Sequence, residues 1–269
     1  MFITVQDFTG VYAEQPFMQE LREKSAKSAD IHWLDCTKIV GTDCYCDDDA
    51  VKAINEMIDS AGTTTGIHFF DNGNYHYMSK LWTDRVQEPF SLIVFDHHPD
   101  MQAPRFGDIL SCGGWVLEVL ENNEFIQNVV IIGVKDELVE TVREEFSQAG
   151  DTEILNKAIF VKESELGKEI PLSSFVNQRS GLSSNIYLSI DKDALAPAFA
   201  TTNWDQGSLT LDALKNYITS FTANRKILGI DICGERAQNF EGDANHTVQK
   251  ADSLNNSLNR ELVEFLNNL

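Results

Sequence analysis

Short apolar runs alternate along this chain with segments whose apolar residues recur at helical spacing. Runs rich in β-branched and aromatic residues predict strands at Phe2–Val5, Ile31–Leu34, Gly66–Phe70, Ser91–Phe95, Val129–Gly133, Ala158–Val161, Ile186–Ile190 and Lys226–Ile230. Several, such as SLIVF and NVVIIGV, are almost continuously apolar, as expected of strands covered on both faces. Between them, helices are predicted at Gly114–Glu121, Glu137–Phe146, Leu211–Phe221 and Ala251–Leu266. A further helix runs to Met57, capped by Asp47-Asp48-Asp49 with its carboxylates at the positive end. Strand–helix alternation implies parallel strands joined by right-handed crossovers. The expectation is one three-layer α/β/α domain over residues 1–269, built on an eight-stranded, mainly parallel sheet. In such sheets the functional site lies off the carboxyl ends of the strands.

Composition narrows the partners. The formal charge of −21 disfavours nucleic acid and anionic membrane and attracts small cations, although most of it suits solubility alone. No apolar run reaches the roughly 18 residues of a membrane span. The first residues, MFITVQDFTG, lack the basic and apolar regions of a signal peptide. Five scattered cysteines fit a reducing compartment, so a cytoplasmic location is expected. The close pair Cys44-x-Cys46 has no second pair at zinc-site spacing and reads as incidental.

The polar residues of interest fall at strand ends. SLIVF leads into Asp96-His97-His98-Pro99-Asp100, NIYLSI leads into Asp191-Lys192-Asp193, and GIHFF is followed by Gly73-Asn74-Tyr75-His76. In extended chain, alternate residues share a side, so Asp96, His98 and Asp100 can converge while His97 and Pro99 face away. Asp191 and Asp193 can do the same. Four carboxylates packed together without cations repel one another and take up protons. Two divalent ions supply the four positive charges that neutralise them. Carboxylate and imidazole donors suit Mn²⁺ first, with Fe²⁺, Co²⁺, Ni²⁺ or Zn²⁺ as competitors. Such a pair activates water for attack on an electrophilic carbon, so the expected reaction is metal-assisted hydrolysis. Asp-x-Asp is common and weak, and one histidine in a turn is more often a surface or hydrogen-bonded residue, whereas Asp-x-His-x-Asp after a buried strand is moderately specific; their combination at three strand ends carries the reading.

These motifs resemble those of the arginase/agmatinase/formiminoglutamase family, in which Gly-Gly-Asp-His, Asp-Ala-His-x-Asp and Ser-x-Asp-x-Asp occur in this order. The resemblance implies two Mn²⁺ ions on an eight-stranded α/β/α fold. One ion would be held by His76, Asp96, Asp100 and Asp191, the other by His98, Asp96, Asp191 and Asp193. It also implies a small, cationic guanidino or amidino substrate and leaves room for a homo-oligomer. Outside the ligands the pattern departs. Tyr75 stands where the family has aspartate, Gln102 replaces an asparagine, and the stretch Ser111–Trp115 lacks the proton-shuttling histidine of many members. Asp100 is then the first candidate proton donor, with His97 or Tyr75 as outer candidates. The family's guanidinium-binding glutamate lies three residues after the last-strand aspartate. Here Gly234 stands there and Glu235 follows, a candidate for the cationic substrate group or a salt bridge with Arg236 or a neighbour. Two other classes remain open: hydrolysis of another amide-type C–N bond, and metal binding without catalysis.

Overall fold

The computed structural model describes residues 1–61, 65–104, 107–167, 181–239 and 248–269. Its centre is an eight-stranded sheet in which every pairing is parallel. The strands are β1 (Ile3–Asp7), β2 (Ile31–Asp35), β4 (Ile67–Phe69), β5 (Phe90–Phe95), β7 (Ile126–Val134), β8 (Ala158–Lys162), β9 (Asn185–Asp191) and β10 (Lys226–Cys233). They lie in the order β2-β1-β4-β10-β9-β5-β7-β8. Two short strands, β3 (Tyr45–Cys46) and β6 (Leu110–Ser111), pair antiparallel apart from this sheet.

The near-continuous apolar runs are strands because both faces are covered. In β5, Leu92 and Val94 pack into one core layer while Ile93 and Phe95 pack into the other. Helices α2 (Asp48–Ala61), α3 (Met78–Thr83), α4 (Trp115–Asn122), α5 (Asp136–Ala149) and α6 (Thr152–Lys157) accompany the first layer. Helices α1 (Pro16–Ser25), α7 (Leu211–Thr222) and α8 (Val248–Leu266) cover the second. Local chemistry sets their ends. Asp47 Oδ1 accepts the Ala50 N–H at 2.9 Å and so starts α2. Thr210 caps α7, which buries Leu211, Leu214, Ile218 and Phe221 along one stripe. Among the described residues, no helix is long and apolar enough to cross a membrane.

The five predicted helices all form, with ends that differ by a few residues. Helices α1, α3 and α6 and the pair β3–β6 were not anticipated. They are short or only partly apolar, so periodicity has little purchase on them. The order of the large sheet places β4, β10, β9 and β5 side by side, and the carboxyl ends of these four strands carry the site.

Candidate metal centre

Three of the four strands carry, at their ends, the candidate side chains named from the sequence. A 3₁₀ turn, Gly73–Tyr75, follows β4 and places His76 over the sheet. Asp96 follows β5, and Asp191 ends β9. The chain beyond each strand is bent, which corrects the expected extended alternation. Asp191 Oδ1 accepts the N–H of Asp193 at 2.9 Å, and Asp96 Oδ1 accepts the N–H of His98 at 2.6 Å. Each aspartate thus closes a turn on the residue two places on, a geometry that Asp side chains favour. Asp100 completes the bend with a left-handed backbone, φ 49°. Convergence survives because the turns, rather than a pleat, aim the side chains.

His76 Nδ1 lies 3.0 Å from Asp96 Oδ2, 3.2 Å from Asp100 Oδ2 and 3.6 Å from Asp191 Oδ2. Its Nε2 is 2.9 Å from Ser189 Oγ, which orients the ring. His98 Nδ1 lies 2.9 Å from Asp193 Oδ2 and 3.4 Å from Asp96 Oδ1. Two sets of potential ligands therefore meet at Asp96: His76 with Asp96 and Asp100, and His98 with Asp96 and Asp193. The His76 and His98 contacts are all shorter than two metal–ligand bonds of about 2.1 Å placed end to end, so the donors fit divalent ions.

The electrostatics agree. Burial pushes the Asp100 carboxyl up to about 7, with Asp96 adding to the effect. Burial, then the charges of Asp191 and Asp96, holds the Asp193 carboxyl well above the usual carboxylate range. Burial opposes charge on His76, yet hydrogen bonds to Asp100 and Asp96 hold its imidazole well above the usual range. His98 behaves alike, burial being overcome by Asp193 and Asp96. The cluster needs positive charge, and its imidazoles respond by holding protons.

Around these residues lies a cavity of about 350 Å³, lined also by Cys44, Tyr45, Gln102, Cys112 and Trp204. Asp100 lines it and receives the Trp115 Nε1–H at 2.7 Å. The other catalytic candidates do not line it. His97 is buried, faces away as expected, and has Nδ1 3.2 Å from the Gly133 carbonyl. Tyr75 stacks on Phe8 with ring centroids 4.3 Å apart. Glu235, expected as a candidate for a cationic substrate group, is instead enclosed by Lys192, Gln15, Asn255 and Asn259. Its carboxylate is committed to that buried network, while Arg236 pairs with Asp252.

Several residues escaped the sequence reading. Asp205 Oδ1 lies 2.9 Å from His98 Nε2, and Trp204 meets the His98 ring edge-on. Cys44 and Cys46 part company: Cys46 is buried, whereas Cys44 lines the cavity together with Cys112, whose backbone N–H donates to the Cys44 carbonyl at 2.9 Å. Cys233, ending β10, reaches Asp191.

The arginase family model matches residues 66–254, more than two thirds of the chain. The chain belongs to the arginase family. An uncharacterised protein of Thermotoga maritima is 28% identical over 233 residues, covering 87% of this chain and 79% of that protein. Among solved structures, the agmatine ureohydrolase of Thermoplasma volcanium superposes with a TM-score of 0.61 at 14% identity, covering 98% of this chain and 89% of that one. A manganese-bound formiminoglutamase variant of Trypanosoma cruzi gives 0.63 at 11% identity, covering 98% and 91%. At such identities the likeness speaks for a shared arginase-like fold, of which this chain is a divergent example.

Proposed function

We propose that this arginase-family chain is a binuclear metal hydrolase that cleaves a C–N bond of a guanidino or amidino compound. The observation that carries the reading is the meeting of two ligand sets at Asp96, on the floor of one cavity. His76, Asp96, Asp100 and Asp191 would hold one ion, and His98, Asp96, Asp191 and Asp193 the other. Asp96 and Asp191 are then the bridges. With four carboxylates and two imidazoles, Mn²⁺ is the first metal to try. Bound in such a pair, divalent ions supply Lewis-acid activation of water and of the carbon it attacks.

The chain's own residues do the rest. The four aspartates of the cavity lining are taken up by the ions, and among the described residues that line it there is no lysine or arginine to repel a cation. A cationic amidine head suits it, with Tyr45 and Trp204 as aromatic walls. Asp100, buried at the cavity wall and held by Trp115, is the group best placed to pass a proton to the departing nitrogen. The His97 backbone N–H donates to Asp193 Oδ1 at 3.0 Å, while its ring turns outward, with Nε2 3.9 Å from Asp205 Oδ2. This makes it an outer donor.

The test is release of urea or ammonia from a panel of guanidino and amidino compounds in Mn²⁺. Turnover of at least one, lost in Asp96→Ala, is expected. Turnover of simple amides alone would transfer the reading to another C–N hydrolase. Metal uptake with no turnover across the panel would leave a metal-binding protein.

A further inference from the structure

The centre has a neighbour of a different chemical kind. Cys233 is 1% exposed, and its Sγ lies 3.1 Å from Asp191 Oδ2. This contact follows from the sheet: β10 pairs with β9 so that Cys233 stands directly across from Asp191. The next residue, Gly234, turns the chain with φ +88°, and a Cβ there would come within 2.3 Å of Asp191 Oδ1. The backbone thus packs against Asp191 as closely as glycine allows, and the thiol is held beside the same carboxylate. Asp191 Oδ2 is in turn 3.6 Å from His76 Nδ1.

We infer that Cys233 is a seventh ligand of the centre, giving its sulfur to the ion held by His76 and Asp191. The inference rests on the metal-centre reading above. Metal–sulfur bonds are about 2.3 Å and metal–nitrogen or –oxygen bonds about 2.1 Å. The 3.1 Å and 3.6 Å edges are each shorter than two such bonds end to end. Ligand atoms of Cys233, His76 and Asp191 all lie within 4.8 Å of one another, so the remaining edge closes with movement of a few tenths of an ångström. On coordination the metal takes the sulfur and the S–H proton leaves to solvent, since a coordinated thiol is deprotonated. The centre becomes asymmetric. A soft donor tilts the His76 position towards Zn²⁺, Fe²⁺ or Co²⁺, while the His98 position keeps hard and borderline donors suited to Mn²⁺.

The experiment titrates the full chain, stripped with chelator, with Co²⁺ and records its absorption. Metal analysis counts the bound ions in parallel. A near-ultraviolet thiolate-to-cobalt charge-transfer band is expected to saturate at one equivalent. It is lost in Cys233→Ala, which still binds Co²⁺, and kept in the Cys44→Ser, Cys112→Ser double variant. A wild-type protein that binds Co²⁺ without the band overturns the inference and leaves the metal centre standing. So does a band that survives in Cys233→Ala, because another cysteine then supplies the sulfur. A folded wild-type chain that takes up no Co²⁺ overturns both, and if Cys233→Ala fails to fold, Cys233→Ser makes the same assignment by losing or keeping the band.

Discussion

Lys192 and Glu235 form an ion pair from which solvent is almost wholly excluded, their side chains being 1% and 0% exposed. Lys192 sits between two proposed ligands, Asp191 and Asp193, yet its ammonium leaves the cavity and ends on Glu235. Gln15, Asn255 and Asn259 complete the hydrogen bonds of that carboxylate, so α8 is tied to the end of β9. Removing one partner strands a charge in the interior, at a typical cost of about 3–5 kcal/mol. Glu235→Leu is therefore expected to lose about that much stability in urea unfolding. Lys192→Met combined with Glu235→Leu should regain most of it. A Glu235→Leu protein of wild-type stability that fails only in substrate affinity would return Glu235 to the substrate.

His98 is oriented from outside by Asp205, 2.9 Å from its Nε2. Groups that orient a ligating imidazole typically contribute about 10–100-fold to metal affinity. Asp205→Asn is expected to weaken one of the two Mn²⁺ ions by about that factor, read as free Mn²⁺ by electron paramagnetic resonance. Unchanged affinity at both positions would show that His98 needs no such support.

Gly234 permits a comparison of backbone strain with crowding. Its Cβ would meet Asp191 Oδ1 at 2.3 Å and Lys192 N at 2.7 Å, whereas Gly150, at φ +81°, has nothing within 4 Å. A left-handed backbone costs an L-residue about 1–2 kcal/mol. Gly150→Ala should show roughly that loss in thermal unfolding. Gly234→Ala should lose more and also lower metal content, and equal losses would mean that Asp191 can move aside.

Asp71 gives the fold a pH dependence of its own. Burial pushes its carboxyl up to about 7, against hydrogen bonds from Thr9 and Asn72 that lower it. The folded value therefore exceeds the unfolded value of about 3.9. Folding favours the protonated form, so this contribution is complete below about pH 4 and fades as pH rises to about 7. The stability of wild type minus that of Asp71→Asn should fall between pH 4.5 and 7.5. A difference that grew instead would show that its hydrogen-bond donors keep the carboxylate ionised.

The strands of the large sheet were legible because burial on both faces leaves near-continuous apolar runs. The six proposed ligands were legible because short spacings at three strand ends leave few ways to arrange them. Cys233 was not, since its place beside Asp191 depends on β10 lying next to β9, a neighbour relation absent from local pattern. Asp205 was not, because a loop that returns after Asp193 brings it to His98. Glu235 was singled out by its offset from Asp231, but the register that turns it towards Lys192 arises from the left-handed Gly234, which spacing does not disclose. The bends at Asp96 and Asp191 were missed for a related reason: the carboxylates themselves draw the chain into turns.

In the proposed centre, Asp96 and Asp191 hold a pair of ions between them. Metal analysis by mass spectrometry, on chains reconstituted with Mn²⁺ and freed of excess, counts those ions. Two ions per chain are expected in wild type, with loss of both in Asp96→Ala and in Asp191→Ala, and loss of mainly one in Asp193→Ala. A wild-type chain that is folded by circular dichroism and retains no Mn²⁺, Co²⁺ or Zn²⁺ after reconstitution would contradict the proposed centre.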